Sequence, residues 1–263
     1  MNMKKRITRR RFLALSAGFT AGILPGQHLL AQSGTYRQIY CPILMYHYIS
    51  YAPENADSVL RDLTVTPELF SQHVAFLQEN GFTSITMAQL WAGLTDGVEL
   101  PEKPVIFSFD DGYADAYAHA TPRLLERGMV GTFFLISNNM DQPGYLTWGQ
   151  AVEMRNAGME IGNHSASHPN LSALGYDEQF AEIDGAAQRI GEVLGARPQF
   201  FCYPLGRYNG QTVRALKESG HIAAVTTSDG TLKWTADPFR MSRIRVRNTT
   251  EVASLDWLVN RYV

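Results

Sequence analysis

The sequence is poor in cysteine and lacks the motifs typical of nucleotide or thiol chemistry. Its 263 residues include two cysteines, Cys41 and Cys202, whose separation matches neither a zinc-binding nor a redox pair. We expect both to be small buried residues, with a disulfide as the alternative. No apolar run leads into a glycine-rich phosphate-binding turn, and no repeat or low-complexity tract is visible. These absences argue against a redox protein and against a nucleotide site.

Positive charge is also scarce once the N-terminus is set aside. Residues 1–31 contain six lysines and arginines and no acidic residue. Taking these six from the total of 23 leaves 17 basic against 25 acidic side chains in residues 32–263. An acidic body argues against nucleic acid or an anionic membrane surface as a partner. The length and the 45% hydrophobic content fit a single domain with one large core.

Residues 1–31 have the pattern of an export signal. A basic start precedes a mostly apolar stretch from Phe12 to Leu24 and a small residue at Ala31. The stretch is too short, and too interrupted by glycine and proline, for a stable membrane span. Arg9-Arg10-Arg11-Phe12-Leu13 resembles the twin-arginine export motif. We therefore expect a signal in residues 1–31 and an exported domain, 32–263, in the periplasm, at the cell surface or outside the cell. A basic amphipathic anchor is the alternative.

The remaining chain alternates short apolar runs with amphipathic helical stretches. Thr66 followed by Pro67 predicts the start of a helix, and Thr147 predicts another. Residues 50–64 are polar and irregular and predict a long loop, whereas residues 114–127 predict one helix. Seven or eight strands separated by helices predict parallel βα units that close into a single-domain α/β barrel. An open doubly wound sheet is the alternative.

Polar side chains fall at the predicted C-terminal ends of several strands. They are His47, the pair Asp110 and Asp111, His164 and Tyr203. The pair of aspartates follows the uncharged run 105–109, in which four of five residues are apolar, and two adjacent negative charges there need either solvent or a positive partner. In α/β barrels the C-terminal ends of the strands carry the active site. We therefore expect these side chains to meet at one mouth of the barrel.

Asp110, Asp111, His164 and His168 form a candidate metal site. Two histidines and one carboxylate, with an open position for water, make a set typical of catalytic zinc. Successive strand residues point to opposite faces, so the two aspartates should divide the work. One carboxylate would bind the ion while its neighbour takes a proton from the attacking water. The alternatives are an aspartate that caps the next helix and a chance spacing of two histidines.

Three motifs in this order carry a resemblance to a known family. They are Ser108-Phe109-Asp110-Asp111-Gly112, His164-Ser165-Ala166-Ser167-His168 and Phe201-Cys202-Tyr203-Pro204-Leu205-Gly206. They resemble the first three motifs of the polysaccharide deacetylases, carbohydrate esterase family 4, also called the NodB-homology domain. The resemblance spans about residues 38–250. It implies a distorted (β/α)₇ barrel with parallel strands and metal-dependent removal of N-acetyl or O-acetyl groups from polysaccharides.

The resemblance also implies roles for individual residues. Asp110 looks like the general base. Asp111, His164 and His168 look like the ligands of one divalent ion, with Zn²⁺ expected and Co²⁺ or Ni²⁺ as alternatives. The backbone N–H of Tyr203 looks like a donor to the oxyanion.

Two departures from the family pattern require substitutes. The third motif usually opens with an arginine that orients the base, but this chain has Cys202 there; Arg243 is the candidate replacement, or else a solvated surface residue. The general-acid histidine is usually near the C-terminus, yet no histidine follows His221. His47, at the end of the first strand, can reach the same mouth, or else it is a core histidine. This arrangement resembles the circularly permuted deacetylases of poly-β-1,6-N-acetylglucosamine.

The predicted function is N-deacetylation of a polysaccharide that contains N-acetylglucosamine. We expect a monomer with no nucleic acid partner and no membrane span after removal of the signal. An O-acetyl esterase acting on xylan or another acetylated glycan uses the same site. A non-catalytic carbohydrate-binding homologue is a second alternative. A metal phosphoesterase is disfavoured, because no ligands for a second metal are evident.

Overall fold

A computed structural model describes residues 37–261, so the export signal predicted for residues 1–31 lies outside the described residues. The strands are β1 (Gln38–Tyr40), β2 (Ile43–Tyr46), β3 (Tyr48–Ile49), β4 (Thr64–Val65), β5 (Thr83–Ser84), β6 (Pro104–Phe109), β7 (Gly131–Leu135), β8 (Glu160–Asn163), β9 (Phe200–Cys202), β10 (Ala223–Asp229), β11 (Leu232–Trp234) and β12 (Met241–Arg245). The helices are α1 (Ser58–Leu63), α2 (Pro67–Glu79), α3 (Met87–Thr95), α4 (Thr121–Glu126), α5 (Trp148–Asn156), α6 (Tyr176–Leu194), α7 (Gly210–Glu218) and α8 (Val252–Asn260).

Seven parallel strands close into a barrel with the helices around it. Around the barrel the order is β2, β6, β7, β8, β9, β10 and β12, so each strand lies beside its neighbour in the chain. Closure is made by β2, which pairs in parallel with β6 on one side and with β12 on the other. The short strand β5 pairs with the first residues of β6. The predicted (β/α)₇ barrel is thereby confirmed, and an open sheet is excluded.

The predicted helix starts coincide with side-chain caps. The Thr66 hydroxyl accepts a hydrogen bond from the Leu69 N–H at the start of α2, and Pro67 occupies the first turn, where its missing N–H is harmless. Thr147 and Gln150 form a reciprocal capping box at the start of α5. Such caps satisfy backbone N–H groups that have no partner within the helix, which is why the sequence identified these starts.

Three local predictions were wrong. Residues 50–64 are not all loop, because Asp57 caps the short helix α1, in which no residue is buried and no hydrophobic period is visible. Residues 114–127 are not one regular helix, because a π-helical turn, Ala116–Ala120, precedes α4. The prediction also omitted β11, which pairs antiparallel with β1 outside the barrel. No described helix has the length and apolarity needed to cross a membrane.

The inward rows of the strands change character along the barrel axis. On β6 the row runs from Ile106 through Ser108 to Asp110, since side chains two apart share a face. At the N-terminal end, apolar members of these rows pack against α3 in one buried cluster that includes Ile43, Ile106 and Leu90. At the C-terminal end the rows become polar. Packed apolar side chains thus close the mouth at the N-terminal ends of the strands, and polar side chains lie at the mouth formed by their C-terminal ends.

Candidate active site

A cavity of about 280 Å³ opens at the C-terminal ends of the strands. The residues that line it are His47, Val59, Leu63, Asp110, Asp111, His164, His168, Tyr203, Leu205, Thr227 and Arg245. Six of the seven predicted site residues therefore line one cavity. The seventh, Arg243, lies beneath it and is 1% exposed.

Asp110 is held by a bidentate pair with Arg243. The two guanidinium nitrogens Nη1 and Nη2 donate to Oδ1 and Oδ2 of Asp110 at 2.7 and 2.8 Å. Arg243 is itself fixed by Ser108 Oγ at 3.1 Å and by the Thr226 carbonyl at 2.9 Å. Burial alone would raise the pKa of Asp110, but the charge and hydrogen bonds of Arg243 outweigh it and hold the pKa below its ordinary value. The carboxylate is therefore ionised, and a surface position for Arg243 is excluded.

Cys202 occupies the position beside this pair. Its Sγ lies 3.2 Å from Nη2 of Arg243, so the cysteine leaves room for a guanidinium that arrives from β12. Cys41 and Cys202 are both buried and unpaired, as expected for small core residues.

Asp111, His164 and His168 converge on one point. Oδ1 of Asp111 lies 3.3 Å from Nε2 of His164 and 3.4 Å from Nε2 of His168. Nδ1 of His164 donates to the Cys202 carbonyl at 2.7 Å, which directs the Nε2 lone pair of a neutral imidazole towards Asp111. Two acceptors that face each other at this distance need a positive group between them, either a proton on His164 or a cation. Oδ1 of Asp111 is buried and accepts no hydrogen bond from the described residues.

The spacing of these atoms fits a small divalent cation. Two ligand atoms bound about 2.0–2.1 Å from a tetrahedral zinc ion lie about 3.3–3.4 Å apart. The observed separations of 3.3 and 3.4 Å fall in that range. Asp111, His164 and His168 are therefore a candidate metal centre, and one carboxylate with two imidazoles leaves a coordination position free.

The backbone at this site adopts conformations that side chains disfavour. Five non-glycine residues in the described chain have positive φ: Asp111, Asp141, Ser165, His168 and Leu205. Two of them are candidate metal ligands, Ser165 lies between the two histidines, and Leu205 lines the cavity. Each such residue costs about 1–3 kcal/mol, and such strain collects at functional sites. Local hydrogen bonds support the loop, since the His168 N–H donates to Ser165 Oγ at 2.9 Å.

His47 lines the same cavity, and the carboxylate nearest to its ring is that of Asp110. Its Nε2 is 3.9 Å from Oδ2 of Asp110, too long for a hydrogen bond, and its buried Nδ1 has no hydrogen-bond partner in the described chain. Burial lowers the pKa of His47, although the nearby carboxylates oppose this effect. The satisfied core histidine considered above does not fit these observations.

Tyr203 lines the cavity, but both of its donors already have acceptors. Its backbone N–H donates to the Val225 carbonyl at 3.3 Å, and its hydroxyl donates to the Phe239 carbonyl at 3.0 Å. The oxyanion role predicted for this N–H therefore requires the bond to Val225 to be shared or released.

Five lining residues were not singled out from the sequence. Val59 and Leu63 lie on α1, a helix that was not predicted from the sequence. Leu205 lines the cavity from a turn in which its own backbone has a positive φ. Thr227 lies where the register of β10 against β12 shifts. Arg245 also lines the cavity, and its signal was visible: arginines alternate at 243, 245 and 247.

Comparison with known proteins identifies the family. The family model described as polysaccharide deacetylase matches residues 97–224. The putative polysaccharide deacetylase YxkH of Bacillus subtilis is 32% identical over 205 residues, which cover 78% of this chain and 71% of YxkH. Poly-beta-1,6-N-acetyl-D-glucosamine N-deacetylase of Escherichia coli K12 is 24% identical; the match covers 65% of this chain and 32% of that enzyme.

A solved structure gives the same result. The deacetylase PplD of Streptococcus pyogenes, solved in complex with acetate, superposes with a TM-score of 0.79 at 26% identity. The superposition covers 85% of this chain and all of that one. The resemblance in the three motifs is thus matched along most of the described barrel. The chain belongs to the polysaccharide deacetylases, the carbohydrate esterase family with the NodB-homology domain.

Proposed function

We propose that the protein is an exported, metal-dependent deacetylase that removes N-acetyl groups from a polysaccharide containing N-acetylglucosamine. One observation carries the proposal: an ionised carboxylate, Asp110, adjoins the Asp111, His164 and His168 set in a single cavity. A base beside a candidate metal centre is what amide hydrolysis requires. The N-acetylglucosamine polymer named for the E. coli relative supports the substrate class.

Asp111, His164 and His168 would hold the ion, with Zn²⁺ proposed and Co²⁺ or Ni²⁺ as alternatives. When bound, a divalent cation supplies Lewis-acid activation of the attacking water and of the acetyl carbonyl. The pair with Arg243 lowers the pKa of Asp110, which keeps the carboxylate ionised and so leaves its oxygens free to accept a proton from that water. Arg243 fixes the orientation of the carboxylate through two parallel hydrogen bonds.

His47 is proposed as the general acid. Because its pKa is lowered, the imidazole is neutral before reaction and donates to the leaving amine only after it has taken up a proton. The distance of 3.9 Å between Nε2 of His47 and Oδ2 of Asp110 supports this role, because the proposed acid then lies beside the proposed base. The N–H of Tyr203 stays a predicted oxyanion donor, subject to release from Val225.

Acetate release from N-acetylglucosamine oligomers tests this function. The purified protein should release acetate, a chelator should abolish the release, and Zn²⁺ should restore it. Asp110→Asn should retain metal while turnover falls by a factor of at least roughly 100. Asp177→Asn, an exposed acid on α6, is the matched control and should behave as wild type.

The alternatives give different results in the same assay. Release from acetylated xylan but not from N-acetylglucosamine oligomers would identify an O-acetyl esterase. Saturable binding of oligomers with no acetate from any N- or O-acetylated glycan would identify a carbohydrate-binding homologue. Near-normal turnover by Asp110→Asn would refute the assignment of the base.

A further inference from the structure

Three arginines alternate on β12 and just beyond it, and two of them are paired. Arg243 forms the bidentate pair with Asp110. Arg247 donates to Oδ2 of Asp62 at 2.5 Å. The side chain of Arg245, between them, makes no hydrogen bond and no ion pair within residues 37–261. The middle arginine of the row is therefore the one that no carboxylate contacts directly, although Asp62 and Asp110 act on its charge at longer range.

The place of Arg245 makes this missing partner significant. It lines the same cavity as His47, Asp110 and Asp111, and it is half-buried. A guanidinium has five donors and no acceptor, and withdrawing it partly from water without a partner is unfavourable. A ligand in the cavity that brings acceptors would remove that cost.

The charges around the cavity favour a negative ligand. Asp110 pairs with Arg243, Asp62 pairs with Arg247, and Asp111 belongs to the candidate metal set with His164 and His168. Arg245 therefore presents a positive charge without a direct carboxylate partner at this mouth, in a chain whose residues 32–263 are acidic overall. A guanidinium recognises carboxylates and phosphates by two parallel hydrogen bonds, a geometry that a neutral sugar hydroxyl cannot match.

We propose that Arg245 is a specificity-determining residue that binds an anionic substituent, a carboxylate or a phosphodiester, on the glycan being deacetylated. The inference rests on the proposed function and narrows its substrate class to an acidic glycan. The substituent lies on the reacting sugar or its neighbour, because Arg245 shares one cavity with the base.

A second role for Arg245 would give a different signature. Its positive charge also acts on His47 and contributes to lowering the pKa of that imidazole. If this were its whole role, loss of Arg245 would shift the pH profile equally for neutral and acidic glycans. Binding of an anion instead changes KM, and only for glycans that carry the anion.

The test compares three sets of N-acetylglucosamine oligomers of equal length: neutral, bearing a lactyl carboxylate, and bearing a phosphodiester. Wild type should have a lower KM for one acidic set than for the neutral set. Arg245→Gln should raise that KM roughly 10- to 100-fold more than it raises the neutral one, as expected for a lost charge-assisted hydrogen bond. Arg245→Lys keeps the positive charge but cannot form two parallel hydrogen bonds, so its KM for the acidic set should lie between those of wild type and Arg245→Gln. Arg155→Gln, on α5, is the matched control for the loss of one positive charge.

Calorimetric binding of the three sets to Asp110→Asn, with and without Arg245→Gln, separates this inference from the proposed function. If wild type releases no acetate but Arg245→Gln weakens binding of an acidic set alone, the proposed function fails and the anion site stands. Equal KM and equal binding for neutral and acidic sets would overturn the anion site while leaving deacetylation intact. An equal effect of Arg245→Gln on all three sets, or a shifted pH profile without a change in KM, would overturn it as well.

Discussion

Replacing Arg243 with glutamine should both destabilise the protein and disable its base. Arg243 is 1% exposed and Asp110 is 4% exposed, so the substitution leaves a buried carboxylate without its counter-charge. Removing one member of a buried ion pair costs about 3–5 kcal/mol. Arg247→Gln is the matched control, because the pair of Arg247 with Asp62 is exposed and should contribute no more than about 1 kcal/mol.

The loss should depend on pH in a defined direction. The pKa of Asp110 is depressed in the folded protein, so the pair stabilises the fold above the unfolded pKa of about 4 and loses this effect as pH falls. Without Arg243, burial would instead raise the pKa of Asp110. The difference in unfolding free energy between wild type and Arg243→Gln should therefore be large at pH 7 and shrink below pH of about 4.

Urea denaturation at pH 7 and pH 3, with chelator present, measures both effects. Turnover should fall roughly 100-fold, because a carboxylate that loses its two hydrogen bonds no longer holds a fixed orientation. The double variant Arg243→Cys with Cys202→Arg should recover part of both losses, since it returns a guanidinium to the same space from β9. A loss under about 1 kcal/mol with near-normal turnover would refute the role given to Arg243.

Three further predictions concern the metal set, acid stability and packing. Asp111→Asn should weaken Zn²⁺ binding at least roughly tenfold in a competition titration, and unchanged affinity would place the ion elsewhere. Burial lowers the pKa of His73 to about 4, so its stabilising effect is complete above pH of about 6.5 and is lost as pH falls towards 4. His73→Gln should remove up to about 3 kcal/mol of that pH dependence in denaturation curves, and an unchanged slope would contradict it. Gly162→Ala should lower stability by about 1–3 kcal/mol, because a Cβ there would lie 2.4 Å from the Phe134 ring; a neutral effect would show that the ring can move.

Elements with a strong local signal were predicted well. The helix starts at Thr66 and Thr147 carry a cap that depends on a few adjacent residues. The helix α1 carries no such signal beyond Asp57, because none of its residues is buried and its position comes from contacts such as Asp62 with Arg247. The strand β11 also lacks a local signal, because three residues that pair only with β1 are too few to show an alternation of apolar and polar side chains.

The candidate site divides in the same way. Asp110, Asp111, His164 and His168 stood out because their residue types and spacing match a family motif, and the fold brings them together. Which nitrogen of His164 faces the centre depends on the Cys202 carbonyl, 38 residues away in the chain. No spacing rule gives that orientation.

By itself, the sequence determined the barrel, the family and the residues that could carry its chemistry, because alternating strands and helices and three short motifs are local properties. The tertiary structure decided which side chains meet. Closure of β2 against β12 brings Arg243 beneath Asp110 across 133 residues, where the family arginine would otherwise come from the position of Cys202. It also separates three alternating arginines into two paired residues and one, Arg245, that faces the cavity. Such pairings depend on burial and distance between remote strands, which the order of residues in the chain does not record.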